Sequence, residues 1–388
     1  MRIEKSERLK KLPPYLFVEI DKAKSKARDE GRDIIDLGVG DPDLPTPNFI
    51  IDALNKASRD PKTHRYSLDQ GLPEFRTACA SWLKKRFCIE MNPESEIYPL
   101  LGSKEGIAHM PLAFVNPGDY VLVPDPCYPP YRSGTIFAGG EVLPMPLLES
   151  NHFLPDLKAV NHHLIHKIKM IFINYPNNPT SAVCDKKFLK DVVDFAAKHN
   201  IIVCQDAAYS EITFDGFKAP SIFEIDGAKE VAIEFHSLSK TFNMTGWRIG
   251  FVCGNSALIE GLAKVKSNID SGVFQAIQRA GIAALEHYDR HINSVIKVYD
   301  ERRKVLVEGL NSLGWNVSKP KATFYVWVHV PKRHTSATFA KALLDKCDIV
   351  ATPGNGFGEK GEGYVRMVLT VDKHKMREAV DRIKKRLL

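Results

Sequence analysis

No run approaching ~20 consecutive apolar residues occurs in this 388-residue sequence, and the opening MRIEKSERLKKLPPYLF lacks an apolar segment of signal-peptide length. Neither a membrane span nor a secretory leader is expected, so the chain reads as a soluble, cytoplasmic protein. Cysteine lacks any pairing pattern: the seven residues at 79, 88, 127, 184, 204, 253 and 347 form an odd set without a Cys-x-x-Cys. That argues against a disulfide framework or structural zinc and for reduced, mostly buried thiols. No basic tail stands behind the net charge of +7. The runs DKAKSKARDEGR and RIKKRLL mix charge with periodic apolar residues as solvated helix faces do, so neither nucleic acid nor membrane is an expected partner. His162, His163 and His166 cluster in a polar connection away from any strand end, and no metal is expected there. Two glycine signatures are missing as well. LGVGDPD has Asp43 where a dinucleotide fingerprint needs its third glycine, and no G-x-x-x-x-G-K-S/T occurs. The glycine-rich GNGFGEKGEG (354–363) fits neither pattern and reads as a loop.

What is present is an ordinary globular composition, 44% hydrophobic and 26% charged, enough for one large domain and a smaller one. The runs EIYPLL (96–101), YVLVPD (120–125), KMIFIN (169–174), IIVCQD (201–206) and VAIEFH (231–236) are strand-length and apolar. Between several of them lie amphipathic stretches such as KKFLKDVVDFAAKHN, spaced for a helix covering a sheet. This alternation predicts an α/β fold with a mostly parallel, doubly wound sheet. Beyond about residue 290 the pattern changes to a long helix, then TFYVWVHV, KALLDKCDIVATPG and YVRMVLTV before a last helix, as in a small α+β unit. The expected division is an N-terminal arm over 1–45 packing against the C-terminal unit, a large domain over 46–290, and a small domain over 291–388. The Pro-rich GDPDLPTP (40–47) is the crossing point.

Open α/β sheets bind ligands beyond the carboxyl ends of their strands, so the residues there carry the functional reading. After EIYPLL come Gly102, Ser103, Lys104, Glu105 and Gly106, a small-residue turn opening a helix, which offers free N–H groups to a phosphate. After YVLVPD comes Tyr128; after KMIFIN, the amide turn YPNNPT with Asn178; after IIVCQ, Asp206 with Tyr209; after VAIEFH, Ser237, Lys240 and Arg248. Each has an ordinary structural reading when taken singly. Together they fit a planar aromatic carrying a phosphate, a ring nitrogen, a ring hydroxyl and an aldehyde, which describes pyridoxal 5'-phosphate. Asp206 keeps the ring nitrogen protonated, Asn178 and Tyr209 bond the ring oxygen, and Tyr128 stacks on the face. Backbone groups of Ser103 and Lys104, the Ser237 hydroxyl and Arg248 hold the phosphate. Lys240 is the Schiff-base amine, kept neutral by burial near Arg248.

In order and spacing the motifs NNPT, DAAY and SLSKTFNMTGWRIG resemble those of fold-type I, class I/II aminotransferases, and the similarity runs from GDPD to YVRM. The resemblance implies ping-pong transfer of an amino group between an amino acid and a 2-oxo acid, with Lys240 as catalytic base. It also implies a homodimer with shared active sites, in which Tyr66 and Asn268 reach the cofactor region from the partner subunit. Arg366 matches the family's grip on the substrate α-carboxylate, with Gly40 letting backbone approach the same group, and Tyr128 and Asn178 lining the substrate site.

Within the family, YLFVEIDKAKSKARDEG, GVGDPDLPTP and TPGNGFGEKGEGYVRMVLTV most resemble LL-diaminopimelate aminotransferases, with 2-oxoglutarate as the partner acid. Lys104 would meet a distal carboxylate and Asp69 a distal amine, although those enzymes carry Glu where Asp69 stands. Lys104 equally suits an aspartate or broad-specificity aminotransferase. A C–S lyase would also keep Lys240. A cofactor-sensing regulator needs a DNA-binding domain ahead of GDPD, where only about forty residues stand, against the ~50 or more of a typical domain.

Overall fold

The computed structural model describes residues 3–13, 16–67 and 70–387. Seven strands form the main sheet, in the order 97–100, 250–254, 232–237, 202–206, 168–174, 120–125, 141–146. Only Gly250–Gly254 runs antiparallel to its neighbours; the remaining pairings are parallel, and apolar clusters pack both faces. Both faces being covered explains why the central strands are near-continuous apolar runs. Two strands lie outside the runs picked from sequence. Glu141–Pro146 carries two prolines, tolerable because it is an edge strand, and Gly250–Gly254 is glycine-bounded and hidden behind the Lys240 motif.

The predicted covering helix is Lys186–His199. Asp185 starts it by accepting from the Phe188 N–H at 2.8 Å, and Asn200 ends it in the left-handed conformation at φ 56°. Its buried residues Phe188, Leu189, Val192, Val193 and Ala196 recur at helical spacing and pack into the core on one side of the sheet.

A second core gathers Ile35 and Leu37 with residues of the long helix Tyr288–Ser312 and the chain beyond it. There Ile35 pairs with Ile349 and Asp36 with Val350, in parallel. A three-stranded antiparallel sheet sets Tyr364–Val368 between Tyr325–His329 and Thr352–Pro353, and places Arg366 opposite Trp327 and Thr352. Asp43, which breaks the glycine fingerprint, makes a bidentate ion pair with the buried Arg302 at 2.6 and 2.7 Å, pinning the crossing segment to the long helix. No described helix is long and apolar enough to cross a membrane.

Candidate active site

A cavity of about 360 Å³ opens at the carboxyl ends of the parallel strands. Ser103, Lys104, Tyr128, Asn178, Asp206, Tyr209, Ser237, Lys240 and Arg248 line it, all picked from the sequence, together with Ala208, Ser239 and Thr245, which were not.

One end is built for an anion. Helix Ser103–Phe114 begins after Gly102, whose φ is +81° and whose missing Cβ would lie 2.3 Å from the Arg248 guanidinium. Glycine is therefore required twice over at 102, for the backbone and for the space. Arg248 is held by the carbonyls of Thr245 (2.9 Å) and Leu101 (3.1 Å), which fix its fork beside the helix N-terminus. The Ser239 hydroxyl is buried and finds no hydrogen-bond partner among the described residues. A buried hydroxyl without a partner fits an anion supplied from outside the chain.

Asp206 closes its strand 4% exposed. One carboxylate oxygen accepts from the Tyr131 hydroxyl at 2.7 Å and the other from the Ala208 N–H at 3.1 Å. Burial pushes its pKa above the ordinary 3.8, opposed by those two donors and by His236 and Lys240. No cation forms a salt bridge with it among the described residues. Tyr131 was missed from sequence. It stands three residues beyond Tyr128, on the helix Pro130–Phe137, and its burial would have suggested only packing.

Lys240 Nζ donates to the Gly40 carbonyl at 3.2 Å. Burial lowers its pKa from 10.5 to about 8, with Arg366 and Arg248 pushing the same way and Asp41 and Asp206 opposing. Gly40 has a spatial reason of its own: a Cβ there would lie 2.5 Å from the Tyr325 ring. The linkage gives a prediction for the cofactor-free protein. Between about pH 8 and 10.5 the unfolded chain holds a proton that folded Lys240 has released, so this group's contribution to stability increases as pH rises through that window. Lys240→Met should remove that increase in urea unfolding midpoints taken from pH 7.5 to 10.5. An unchanged slope would show that Lys240 titrates normally.

Arg366 is 1% exposed, its guanidinium centre 4.2 Å from the Tyr325 ring and 4.7 Å from the Phe357 ring. It donates to Asn178 Oδ1 at 2.7 Å and to the Gly38 carbonyl at 2.9 Å. Tyr325, also missed from sequence, shares a 2.7 Å hydroxyl contact with Tyr209. Its position beside Phe324 in TFYVWVHV made it look like core. Arg366 and Gly40 thus reach the cavity through Asn178 and Lys240 rather than lining it themselves.

Two other expected residues lie away from it within this chain. Tyr66 is 78% exposed, and Asn268, at the end of helix Ser256–Ser267, donates to the Lys264 carbonyl at 2.8 Å. Asp69 lies outside the described residues. The exposed His162, His163 and His166 stay in the polar connection.

The family model described as Aminotransferase class I and II matches residues 32–383. The chain belongs to the class I and II aminotransferases. It is a pyridoxal-phosphate-dependent enzyme that passes an amino group between an amino acid and a 2-oxo acid. It is similar to the LL-diaminopimelate aminotransferase of Moorella thermoacetica, 53% identical over 99% of this chain and 98% of the relative. It is likewise similar to the enzyme of that name from Aquifex aeolicus, 54% identical over 98% of each chain. Among solved structures, substrate-bound BacF from Bacillus subtilis superimposes with a TM-score of 0.96 at 38% identity, covering 99% of this aminotransferase and 98% of that chain. The cavity suits the cofactor on its own observations, since an anion cradle, a partnerless hydroxyl, a buried carboxylate and an amine of lowered pKa line the same space.

Proposed function

We propose that this aminotransferase exchanges an amino group between LL-diaminopimelate and 2-oxoglutarate, as a cytoplasmic homodimer. The substrate rests on the name carried by relatives 53% and 54% identical along nearly their whole length. The site assignment rests on one observation: an amine of lowered pKa lines the same cavity as a buried aspartate.

In this reading Ser103, Lys104, Ser237 and Arg248 hold the phosphate, Asp206 faces the ring nitrogen, Asn178 and Tyr209 the ring oxygen, and Tyr128 the ring face. When bound, pyridoxal phosphate supplies an electron sink for the charge left at the substrate Cα. Lys240 would hold the cofactor through its amine, and once freed by substrate that neutral amine would serve as the base for the Cα proton. Arg366, held by Asn178 and the Gly38 carbonyl beside two rings, meets the α-carboxylate with its fork already oriented, with Gly40 close by. Residues 46–290 carry the cofactor, while 1–45 and 291–388 bring Arg366 to it. Tyr66 and Asn268 act across the dimer in the partner's site. Lys104 faces the distal carboxylate and Asp69, from the partner, the distal amine.

The test is each half-reaction without acceptor, followed by cofactor absorbance. LL-diaminopimelate and glutamate should each convert one equivalent and stop, whereas a C–S lyase would keep turning over. A charged hydrogen bond is worth roughly 1.5–3 kcal/mol, so Asp69→Asn should lower kcat/KM for LL-diaminopimelate about ten- to a hundredfold and leave glutamate nearly unchanged. If aspartate reacts far faster than LL-diaminopimelate, or the substitution affects both donors alike, a general aspartate aminotransferase takes its place.

A further inference from the structure

A buried ion cluster stands behind the anion-binding end of the cavity, and the contacts assigned to the cofactor do not account for it. Lys266, near the end of helix Ser256–Ser267, is 1% exposed. Its ammonium lies 2.7 Å from Glu105 Oε1 and 2.6 and 2.8 Å from the two carboxylate oxygens of Asp270, which itself accepts from the Gly272 N–H at 2.7 Å. Neither Glu105 nor Lys266 lines the cavity. His109 is 3.7 Å from the same Glu105 oxygen, but burial and the neighbouring Lys266 hold its pKa below 6.5, which leaves Lys266 as the cation of the cluster.

A buried ion pair is often no more stabilising than apolar residues of the same volume, so its placement asks for a reason. One lies a single hydrogen bond away. Glu105 is the third residue of helix Ser103–Phe114, and its other oxygen, Oε2, accepts from the Leu101 N–H at 2.5 Å across the Gly102 turn. The carbonyl of the same Leu101 accepts from Arg248 at 3.1 Å. Leu101 is therefore held on both sides, by the carboxylate at its N–H and by the guanidinium at its carbonyl. Burial pushes the Glu105 carboxyl above the ordinary 4.5, and Lys266 opposes that push more than any other neighbour, keeping the acceptor charged and its bond to Leu101 charge-assisted. We propose that Lys266 is a positioning residue for the cofactor phosphate: paired with Glu105, it fixes the Leu101–Gly102 turn, and through that turn both Arg248 and the helix N-terminus. The inference rests on the reading that this cradle holds the phosphate. Its effect falls on the phosphate and spares the ring, because Asp206 and Lys240 stand on other elements, Ile202–Asp206 and Leu238–Thr241.

The test is titration of the full-length, cofactor-free protein with pyridoxal phosphate and with pyridoxal, which lacks the phosphate, followed by cofactor absorbance. Lys266→Met should weaken pyridoxal phosphate about tenfold or more, the loss of a charge-assisted bond, and leave pyridoxal nearly unchanged. Lys266→Arg, which keeps the charge, should restore most of the affinity. Glu105→Gln, of the same shape, should show the same phosphate-selective loss and keeps the test open should Lys266→Met misfold. Because the two residues act as one unit, Lys266→Met should add little to that loss in the Glu105→Gln background. Unchanged pyridoxal phosphate affinity in Glu105→Gln, equal losses for the two ligands, or full additivity of the two substitutions overturns the proposal. Arg248→Gln tests the cradle separately. If it leaves pyridoxal phosphate affinity unchanged, the phosphate assignment falls and this inference with it; if it alone weakens binding, only the role of Lys266 falls.

Discussion

Lys240→Ala is expected to abolish amino transfer, lowering kcat by at least about ten-thousandfold. General-base catalysis alone reaches about that figure at the top of its range, and this residue would supply both the base and the covalent hold on the cofactor. No other amine among the described residues lines the cavity except Lys104, which is exposed where the helix opens. The measurement has two parts. Borohydride should fix the cofactor to the wild-type chain and leave the variant unlabelled, and single-turnover absorbance should show no conversion in the variant. Turnover surviving in Lys240→Ala would end the assignment of base and nucleophile to this residue.

Asp206→Asn should retain the cofactor through the phosphate contacts and lose on the order of a thousandfold in rate. In the proposed arrangement the carboxylate would keep the ring nitrogen protonated so that the ring could act as an electron sink, and removing such a preorganised partner typically costs several kcal/mol at the transition state. The geometry makes the test specific. Tyr131 and the Ala208 N–H each bond one carboxylate oxygen, so the side chain is held at a fixed angle. Tyr131→Phe should therefore lower the rate much less while preserving the charge. A drop of only a few-fold in Asp206→Asn, with full cofactor occupancy by absorbance, would remove Asp206 from the ring nitrogen.

The sequence was most informative where chemistry and topology coincide. A polar or charged residue shortly after an apolar run stands out, and nine residues picked that way line one cavity. The runs themselves were legible because a strand covered on both faces is apolar throughout. Less legible were residues whose role depends on what lies across the fold. Tyr131 and Tyr325 read as core aromatics, since nothing local shows that their hydroxyls meet Asp206 and Tyr209. The edge strand Glu141–Pro146 was hidden by its prolines, and Gly250–Gly254 by the stronger motif before it. Asp43 was seen as a departure from a glycine pattern. Its bond to Arg302, 259 residues away, gives it a reason that spacing could not.

The pairing of Ile35 with Ile349 has a consequence for how the protein is made. One partner leaves the ribosome early and the other late, so at roughly 5–20 residues per second the first waits on the order of tens of seconds for the second. During that interval Ile35 and Leu37 have no partner from the chain beyond 290, and the apolar surface they will bury stays open to chaperones and to neighbouring nascent chains. Pinning by Arg302 also waits until the long helix has emerged. The large sheet can form while this segment hangs free, whereas the Gly40 carbonyl takes its place opposite Lys240 only afterwards. The bond from Lys240 to the Gly40 carbonyl is thus among the last to form, and a messenger truncated before codon 349 would yield a chain with the lysine in place and its crossing segment unanchored.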